Sequence, residues 1–431
     1  MKRFLSCIEI FVVCLVVLVW LYSIDEKLNP EIQKWLVEEN NHPPDEKNAY
    51  LYLMGFECPE KESPLNAGMS RVDRILNGLE DQLDEKSVFP ESGITVPCDL
   101  DDFDCLQRLF DNPDSILSLI RDNSLYLKRY KELYQFPAFS TLTDPTYLEQ
   151  MPSAYQLLRA QDVFFLEAVY LVSAGKVSSA VQNVIDDLGS NRRQLAAVDT
   201  LIDKMVRVVV LQRSIKFSVF LMRQEHISRY EKDKLLSVLN PLTQLERSFD
   251  EVLKRELLFF VGLNESEDWW LLFSDFEDSL YGAPESFIYS VKKWLSKPNS
   301  AANERFPEWE RLIEKGEMSP EQFNKVLKKT ESISGWPFWQ KVYNPFLSAH
   351  AFPDADTYYT YFARVHDIDC LLSLARAIVQ SSSMEDLNSH GEINPYDGSE
   401  IKVENGEASY EGPFSEVKDG RSIKVIWGND V

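Results

Sequence analysis

An adjacent histidine and aspartate, His366 and Asp367, form the pair in this sequence that most suggests chemistry. Metal-dependent phosphohydrolases of the HD type use such a pair, but they also need a separate upstream His and a distant Asp. The other four histidines have no motif around them. At helical spacing His366 can meet Asp369 or Cys370 on one helix face, and Arg364 can meet Asp367 in the same way. A surface ion-pair face is therefore the favoured interpretation of this segment.

Glu256 is a second candidate, because it continues an apolar stripe by one helical turn. The stripe consists of Leu242, Leu245, Phe249 and Val252, and it follows Pro241, which suits the first turn of a helix. The Glu256 carboxylate should then point toward the core or a groove, where it is paired, neutral, or a general acid. Lys204 lies within another apolar helix and could be its partner. Pairing for structure is favoured over catalysis.

Two further groups of residues suit ligand binding less well. Four acids lie close together before a predicted helix, namely Asp99, Asp101, Asp102 and Asp104. An EF-hand loop needs an acid at its fifth position and Gly at the sixth, and Phe103 breaks that pattern. The tryptophans at 269–270 and 336–339 could line a sugar or peptide groove, but such residues are more often core or interface anchors. Since no nucleophile elbow, P-loop or dinucleotide fingerprint occurs, we expect no cofactor and no metal site.

Four cysteines lie outside the apolar N-terminus, and they allow three pairings. They are Cys58, Cys98, Cys105 and Cys370. A disulfide between Cys98 and Cys105 would close a short loop, whereas two unpaired buried thiols are the alternative. A zinc site is disfavoured because no Cys-x-x-Cys motif or His pair at ligand spacing is present.

Residues 4–22 form an almost wholly apolar run that is long enough to cross a bilayer. Lys2 and Arg3 precede it and Asp25 follows it, which predicts a cytoplasmic N-terminus and a body outside the cytoplasm. The run ends without a small-x-small cleavage site, so an uncleaved inner-membrane anchor is favoured over a cleaved signal or a buried helix. In a bacterial cell the body would be periplasmic.

Composition limits the class of protein and its partners. The chain has 431 residues, of which 44% are hydrophobic and 26% charged, as in ordinary globular proteins. Its 45 Lys and Arg against 69 Asp and Glu leave a formal net charge of −24. Such a surface repels phosphate backbones, so nucleic acid is not an expected partner.

The elements that would position these residues are mostly helices. Helical stripes are predicted at 195–209, 242–252 and 358–372, and an αα-hairpin is predicted around Ala174-Gly175-Lys176. The last fifty residues change to strand alternation, with a hairpin turn at Asn405-Gly406 and a third strand at 422–427. The predicted fold is mainly α with a small C-terminal antiparallel β element. The segments are a stub and anchor (1–23), a tether leading into the packed region (24–66), a helical domain (67–385) and the β element (386–431).

Several short motifs carry a resemblance to a known family. They are the run 48–56, the helix 201–205, Asn344-Pro345 and the Asn-Pro-Tyr-Asp-Gly tail at 394–398. The chain resembles a functionally unassigned family of single-span bacterial envelope proteins, except that Phe346 stands where that family has a small residue. The resemblance implies an envelope compartment and a helical fold, and it implies no activity.

These observations together predict a membrane-anchored periplasmic protein that interacts with, or scaffolds, an envelope protein partner without catalysis. The alternative is a periplasmic carboxylate-dependent hydrolase acting on glycan or peptide. In that alternative Glu256 is the acid, and Lys204, His366 and Asp367 are weaker candidates.

Overall fold

Helices make up most of the described chain. The computed structural model describes residues 25–38, 42–78, 89, 96, 98, 100, 103–143, 151–224, 227–265, 297–328, 355–404, 406–413 and 422–426. The helices are α1 Pro30–Glu38, α2 Ala49–Met54, α3 Pro64–Leu76, α4 Phe103–Asp111, α5 Asp114–Asp122, α6 Ser124–Glu132, α7 Ala154–Ser173, α8 Val177–Ala197, α9 Leu201–Met222, α10 Arg229–Leu236, α11 Gln244–Arg247, α12 Asp250–Glu265, α13 Pro298–Gly316, α14 Pro320–Leu327 and α15 Ala355–Gln380. The strands are β1 Lys402–Glu404, β2 Glu407–Glu411 and β3 Ser422–Ile426. The predicted class, mainly α with a small C-terminal antiparallel sheet, is confirmed for these residues.

The chain divides into two compact units. The first comprises residues 1–41, 253–312 and 331–358, and the second comprises 42–252, 313–330 and 359–431. In the first unit, the Trp35 ring packs on Phe306 with centroids 5.0 Å apart. The indole nitrogen of Trp309, itself buried, donates to the carbonyl of Leu253 at 2.6 Å. Aromatic side chains therefore hold α1, α12 and α13 together within this unit.

The second unit begins with a buried helix whose close packing depends on glycine. All six residues of α2 are buried. Asn48 caps the helix, since its side-chain oxygen accepts from the amide of Tyr50 at 3.1 Å. A Cβ atom on Gly68 of α3 would lie 1.7 Å from the carbonyl oxygen of Leu51. Only glycine lets α2 and α3 approach this closely.

The predicted αα-hairpin is confirmed by α7 and α8. Ser153 caps α7 by accepting from the amide of Gln156 at 3.3 Å. The connection passes through Gly175, whose φ of +76° is a left-handed conformation that glycine adopts without strain. Both helices turn Val, Leu and Ala side chains into the core, and α7 adds two Phe side chains.

Two of the three predicted helical stripes are wrong. The stripe at 195–209 is interrupted where α8 ends and Thr200 caps α9 by accepting from the amide of Asp203 at 3.2 Å. The stripe at 242–252 is interrupted as well, because Pro241 precedes α11 outside any helix and α12 begins only at Asp250. Leu245 is 66% exposed. In both cases a side-chain hydroxyl, of Thr200 or Ser248, accepts from an amide at the start of a new helix, although the apolar spacing of the sequence continues.

The third stripe is confirmed on α15. Its five members, Tyr358, Phe362, Val365, Ile368 and Leu372, are all buried. The C-terminal strands are confirmed too. They form the antiparallel order β1-β2-β3, with Val403 opposite Ala408 and Ala408 opposite Val425. Gly406 has a φ of +79° at the turn between β1 and β2, as the Asn-Gly signal predicts.

The predicted disulfide between Cys98 and Cys105 is confirmed, with Cα atoms 5.8 Å apart. Cys58 and Cys370 are free thiols. The predicted anchor at residues 4–22 lies outside the described residues. Among the helices that the structure describes, none is long and apolar enough to cross a membrane.

Candidate functional site

His366 and Asp367 lie in the core, so the surface ion-pair interpretation is wrong. His366 is 1% exposed and Asp367 is 6% exposed, since α15 is covered by neighbours on most of its sides. Asp367 accepts a hydrogen bond from the hydroxyl of Tyr396 at 2.8 Å. Asp369, also buried, accepts from the backbone amide of Leu242 at 2.6 Å and from Arg247 at 3.2 Å. The carboxylates of this segment therefore join α15 to neighbouring loops.

The His366 imidazole sits among aromatic rings. The Phe323 ring centroid is 4.9 Å away, and neither imidazole nitrogen has a hydrogen-bond partner in the described structure. Burial, with a smaller contribution from the positive charge of Arg247, lowers the pKa of His366 to about 3. The ring is consequently neutral at physiological pH. Among the described residues no group of three His, Cys, Asp or Glu side chains is placed to hold a metal ion.

Lys204 is buried and bonded to backbone rather than to a carboxylate. Its amine donates to the carbonyl of Leu195 at 2.6 Å and to that of Glu246 at 3.1 Å. It also lies 5.5 Å from the centroid of the Phe249 ring. Leu195 belongs to the last turn of α8, where a cation is favourable near the end of a helix. Burial lowers the pKa of Lys204 to about 7. Glu256 is half-buried on α12.

Two groups of candidate residues lie wholly or partly outside the residues that the structure describes. These are the tryptophans at 269–270 and 336–339 and, within the acidic run, Asp99, Asp101 and Asp102. Asp104 is in the first turn of α4, where a carboxylate is favourable.

A buried polar cluster centred on Asp187 of α8 was not predicted from the sequence. This fully buried carboxylate accepts from the hydroxyl of Tyr130 at 2.7 Å and from the amide of Asn191 at 3.0 Å, and also from Tyr134 and Ser214. Burial raises its pKa to about 6, although these hydrogen bonds act to lower it. Helical spacing could have predicted the burial of this cluster, because Asp187 and Asn191 lie on the same helix face as the buried Ala180 and Val184. The cluster satisfies its members internally and offers no open surface for a ligand.

A surface groove of about 540 Å³ is formed by α9, α15 and β3 of the second unit. Met205, Val209 and Lys216 line it from α9, Arg364, Asp367 and Leu371 from α15, and Ile423 and Lys424 from β3. We call this surface the α9–α15–β3 groove. It brings together three elements that are far apart in sequence.

The α9 side of the groove is apolar where the sequence predicts core. Within the lining, Val209 is 42% exposed and Met205 is half-buried. Ile202 lies on the same face of α9 outside the lining and is 49% exposed. The opposite side of α9 instead buries Lys204 and Arg207. Arg207 packs over the ring of Phe139 at 5.5 Å, and burial lowers its pKa to about 10. The apolar positions 202, 205 and 209 therefore lie on the outer side of α9, while Val210, Leu211 and Ile215 pack inside together with these charged side chains.

The rim of the groove is positively charged. Lys216, Arg364 and Lys424 are exposed, and Lys424 also contacts Glu407 at 3.0 Å. The one carboxylate in the lining, Asp367, is held by Tyr396. The chain has a net charge of −24, so three cations around an apolar strip form a locally positive surface on a negatively charged protein.

A second cavity of the same unit, about 460 Å³, lies where α8 ends and α11 and α12 begin. Its charged lining is acidic, with Asp250, Glu251 and Glu317, and so has the sign of the whole chain. The exposed Leu245 also borders it. Because this cavity lacks the local reversal of charge, the α9–α15–β3 groove is the better candidate for a specific site.

Comparisons of the chain with family models, with curated proteins and with solved structures found no match. The resemblance to single-span envelope proteins therefore rests on the sequence motifs alone.

Proposed function

We propose that this protein is a non-catalytic interaction protein of the cell envelope, and that its α9–α15–β3 groove binds a segment of a partner protein. The segment would carry both acidic and apolar side chains. The observation that carries the proposal is the apolar strip that Met205 and the exposed Val209 contribute to the groove, beside three cations. The exposed Ile202 continues this strip along the same face of α9, outside the groove lining.

The apolar strip supports a protein partner. Exposed apolar surface bordered by polar residues is typical of protein interaction sites, because burying it on binding is favourable. The charged rim supports acidic side chains in that partner. Complementary charge speeds encounter and rejects partners of the wrong sign, while the acidic remainder of the chain repels an acidic segment from other surfaces.

The contacts of Lys204, His366 and Asp367 favour a structural role for these three catalytic candidates. His366 packs against the Phe323 ring, Asp367 accepts a hydrogen bond from Tyr396, and Lys204 donates to two backbone carbonyls. Each side chain therefore stabilises the core. Lys204 and His366 are each 1% exposed, which leaves them out of reach of a substrate.

The groove is tested with a labelled peptide of about eight residues in which Glu alternates with Val. We expect the full-length chain, kept in mild detergent, to bind this peptide and to bind a matched Lys–Val peptide more weakly. Val209→Glu should raise the dissociation constant at least about tenfold, because it removes an apolar contact and adds a repelling charge. Fluorescence anisotropy measures both effects.

The matched control is Leu245→Glu, which places the same charge on an exposed leucine outside the groove. It should leave the dissociation constant unchanged. Equal binding by the wild type and Val209→Glu, or equal binding of the Glu and Lys peptides, would contradict the proposal.

We also propose that residues 4–22 anchor the protein in the inner membrane with its body outside the cytoplasm. The apolar run, its flanking charges and the Cys98–Cys105 disulfide support this, since disulfides are rare in the cytosol. A reporter that is active only outside the cytoplasm, fused after Val431, should be active. Mass spectrometry without reductant should find the two cysteine peptides linked. An inactive fusion together with free thiols would disprove this topology.

A further inference from the structure

Building on the proposed groove function, we infer that the partner segment binds as an additional β-strand, paired with the outer edge of β3. The strand would run along the α9–α15–β3 groove, and its backbone would supply part of the affinity. The inference specifies an extended conformation for the partner segment and an alternating pattern of side chains along it.

The outer edge of β3 is available in the described structure. The sheet order is β1-β2-β3, and among the described residues β3 pairs only with β2, from Glu411 opposite Ser422 to Glu407 opposite Ile426. In an edge strand every second residue turns its N–H and C=O away from the sheet. Such groups form a template for an incoming strand, as in the strand-addition mode of peptide recognition.

The two edges of the sheet differ in how well they are protected. β1 has three residues, with Lys402 and Glu404 exposed and charged, and Lys402 forms an ion pair with Glu411. Short, charged edges of this kind discourage pairing. β3 has five residues, about 17 Å of strand, and its only charge is Lys424. The strand with the longer and less charged edge, β3, is also the one that lines the groove.

The position of β3 in the groove determines which side chains the added strand would present. Neighbouring strands lie about 4.8 Å apart, so a strand paired with β3 would lie next to the apolar lining from Val209 and Leu371. Ile423 and Val425 are buried, whereas Lys424 between them is exposed. Successive side chains of a strand alternate between the two faces of a sheet. The partner should hence alternate apolar residues facing inward with acidic residues facing Lys424 and the rim.

Amide exchange and backbone methylation test this inference directly. On saturation of the full-length chain with the Glu–Val peptide, backbone amide exchange in residues 422–426 should slow at least about tenfold, while exchange in 402–404 stays unchanged. Two derivatives of the peptide carry N-methyl groups on alternate residues, one set for each edge of the strand. One derivative should lose binding at least about tenfold and the other should bind as the parent does, because only one edge of an added strand donates to β3.

The outcomes separate this inference from the proposed function. Equal binding of the two methylated peptides, or unchanged exchange at 422–426 with the parent peptide bound, would overturn strand addition. The proposal that the groove binds the peptide would still be supported by weaker binding to Val209→Glu and by weaker binding of the Lys–Val peptide. No binding of the parent peptide would disprove the groove proposal, and the strand inference with it.

Discussion

Gly68→Ala is expected to destabilise the second unit by about 3 kcal/mol or more. The added methyl group would lie 1.7 Å from the carbonyl oxygen of Leu51 and close to the backbone of Gly55. These are backbone atoms, so no side-chain rotation relieves the clash, and α2 would have to move away from α3. All six residues of α2 are buried, which means that such a movement opens the core. Urea denaturation followed by circular dichroism measures the loss.

Gly189→Ala is the matched control, because Gly189 lies inside α8 with only the flexible Arg193 side chain nearby, 3.6 Å from an added Cβ. Alanine at an open helical position should stabilise by about 0.5–1 kcal/mol. If both variants changed the free energy of unfolding alike, the close contact between α2 and α3 would be wrong.

Lys204→Met is expected to remove a pH dependence of stability that the wild type shows between pH 7 and 10. Burial lowers the native pKa of Lys204 from 10.5 to about 7. Between these values the unfolded chain binds a proton that the native chain does not, so the wild type gains stability as pH rises and loses it as pH falls toward 7. Over three pH units this amounts to about 4 kcal/mol. Met keeps the length of the side chain and has no charge to titrate.

Free energies of unfolding from urea titrations at pH 7, 8, 9 and 10 measure the effect as the difference between variant and wild type. Lys216→Met is the control, because it removes the same charge from an exposed position on the same helix. Parallel pH curves for Lys204→Met and the wild type would show that the buried amine remains charged.

Features specified by neighbouring residues were predicted correctly from the sequence. The turn at Gly175 and the β-hairpin at Gly406 each need a left-handed backbone conformation, which glycine supplies locally. The disulfide joins cysteines only seven positions apart. The stripe on α15 holds because one uninterrupted helix, Ala355–Gln380, carries all of it.

The candidate site could not be predicted in the same way. Apolar spacing on α9 identifies a face, but it does not tell whether that face meets the core or solvent. That depends on Lys204, whose partners are the backbone carbonyls of Leu195 and Glu246, supplied by other helices. The surface position predicted for His366 and Asp367 is wrong because their partners are also distant in sequence. The Phe323 ring packs on His366, and the Tyr396 hydroxyl donates to Asp367.

By itself, the sequence determined the helical class, the C-terminal sheet, the short disulfide and the acidic net charge. These properties follow from composition and from interactions between residues near one another in the chain. Only the tertiary structure decided which charged side chains are buried, and it alone assembled the α9–α15–β3 groove. Its residues Val209, Arg364 and Lys424 are far apart in sequence, and their proximity depends on how distant helices and strands pack. Periodic spacing shows which face of an element is apolar but not which other element packs against it, because the free energy of packing comes from contacts between elements rather than within them.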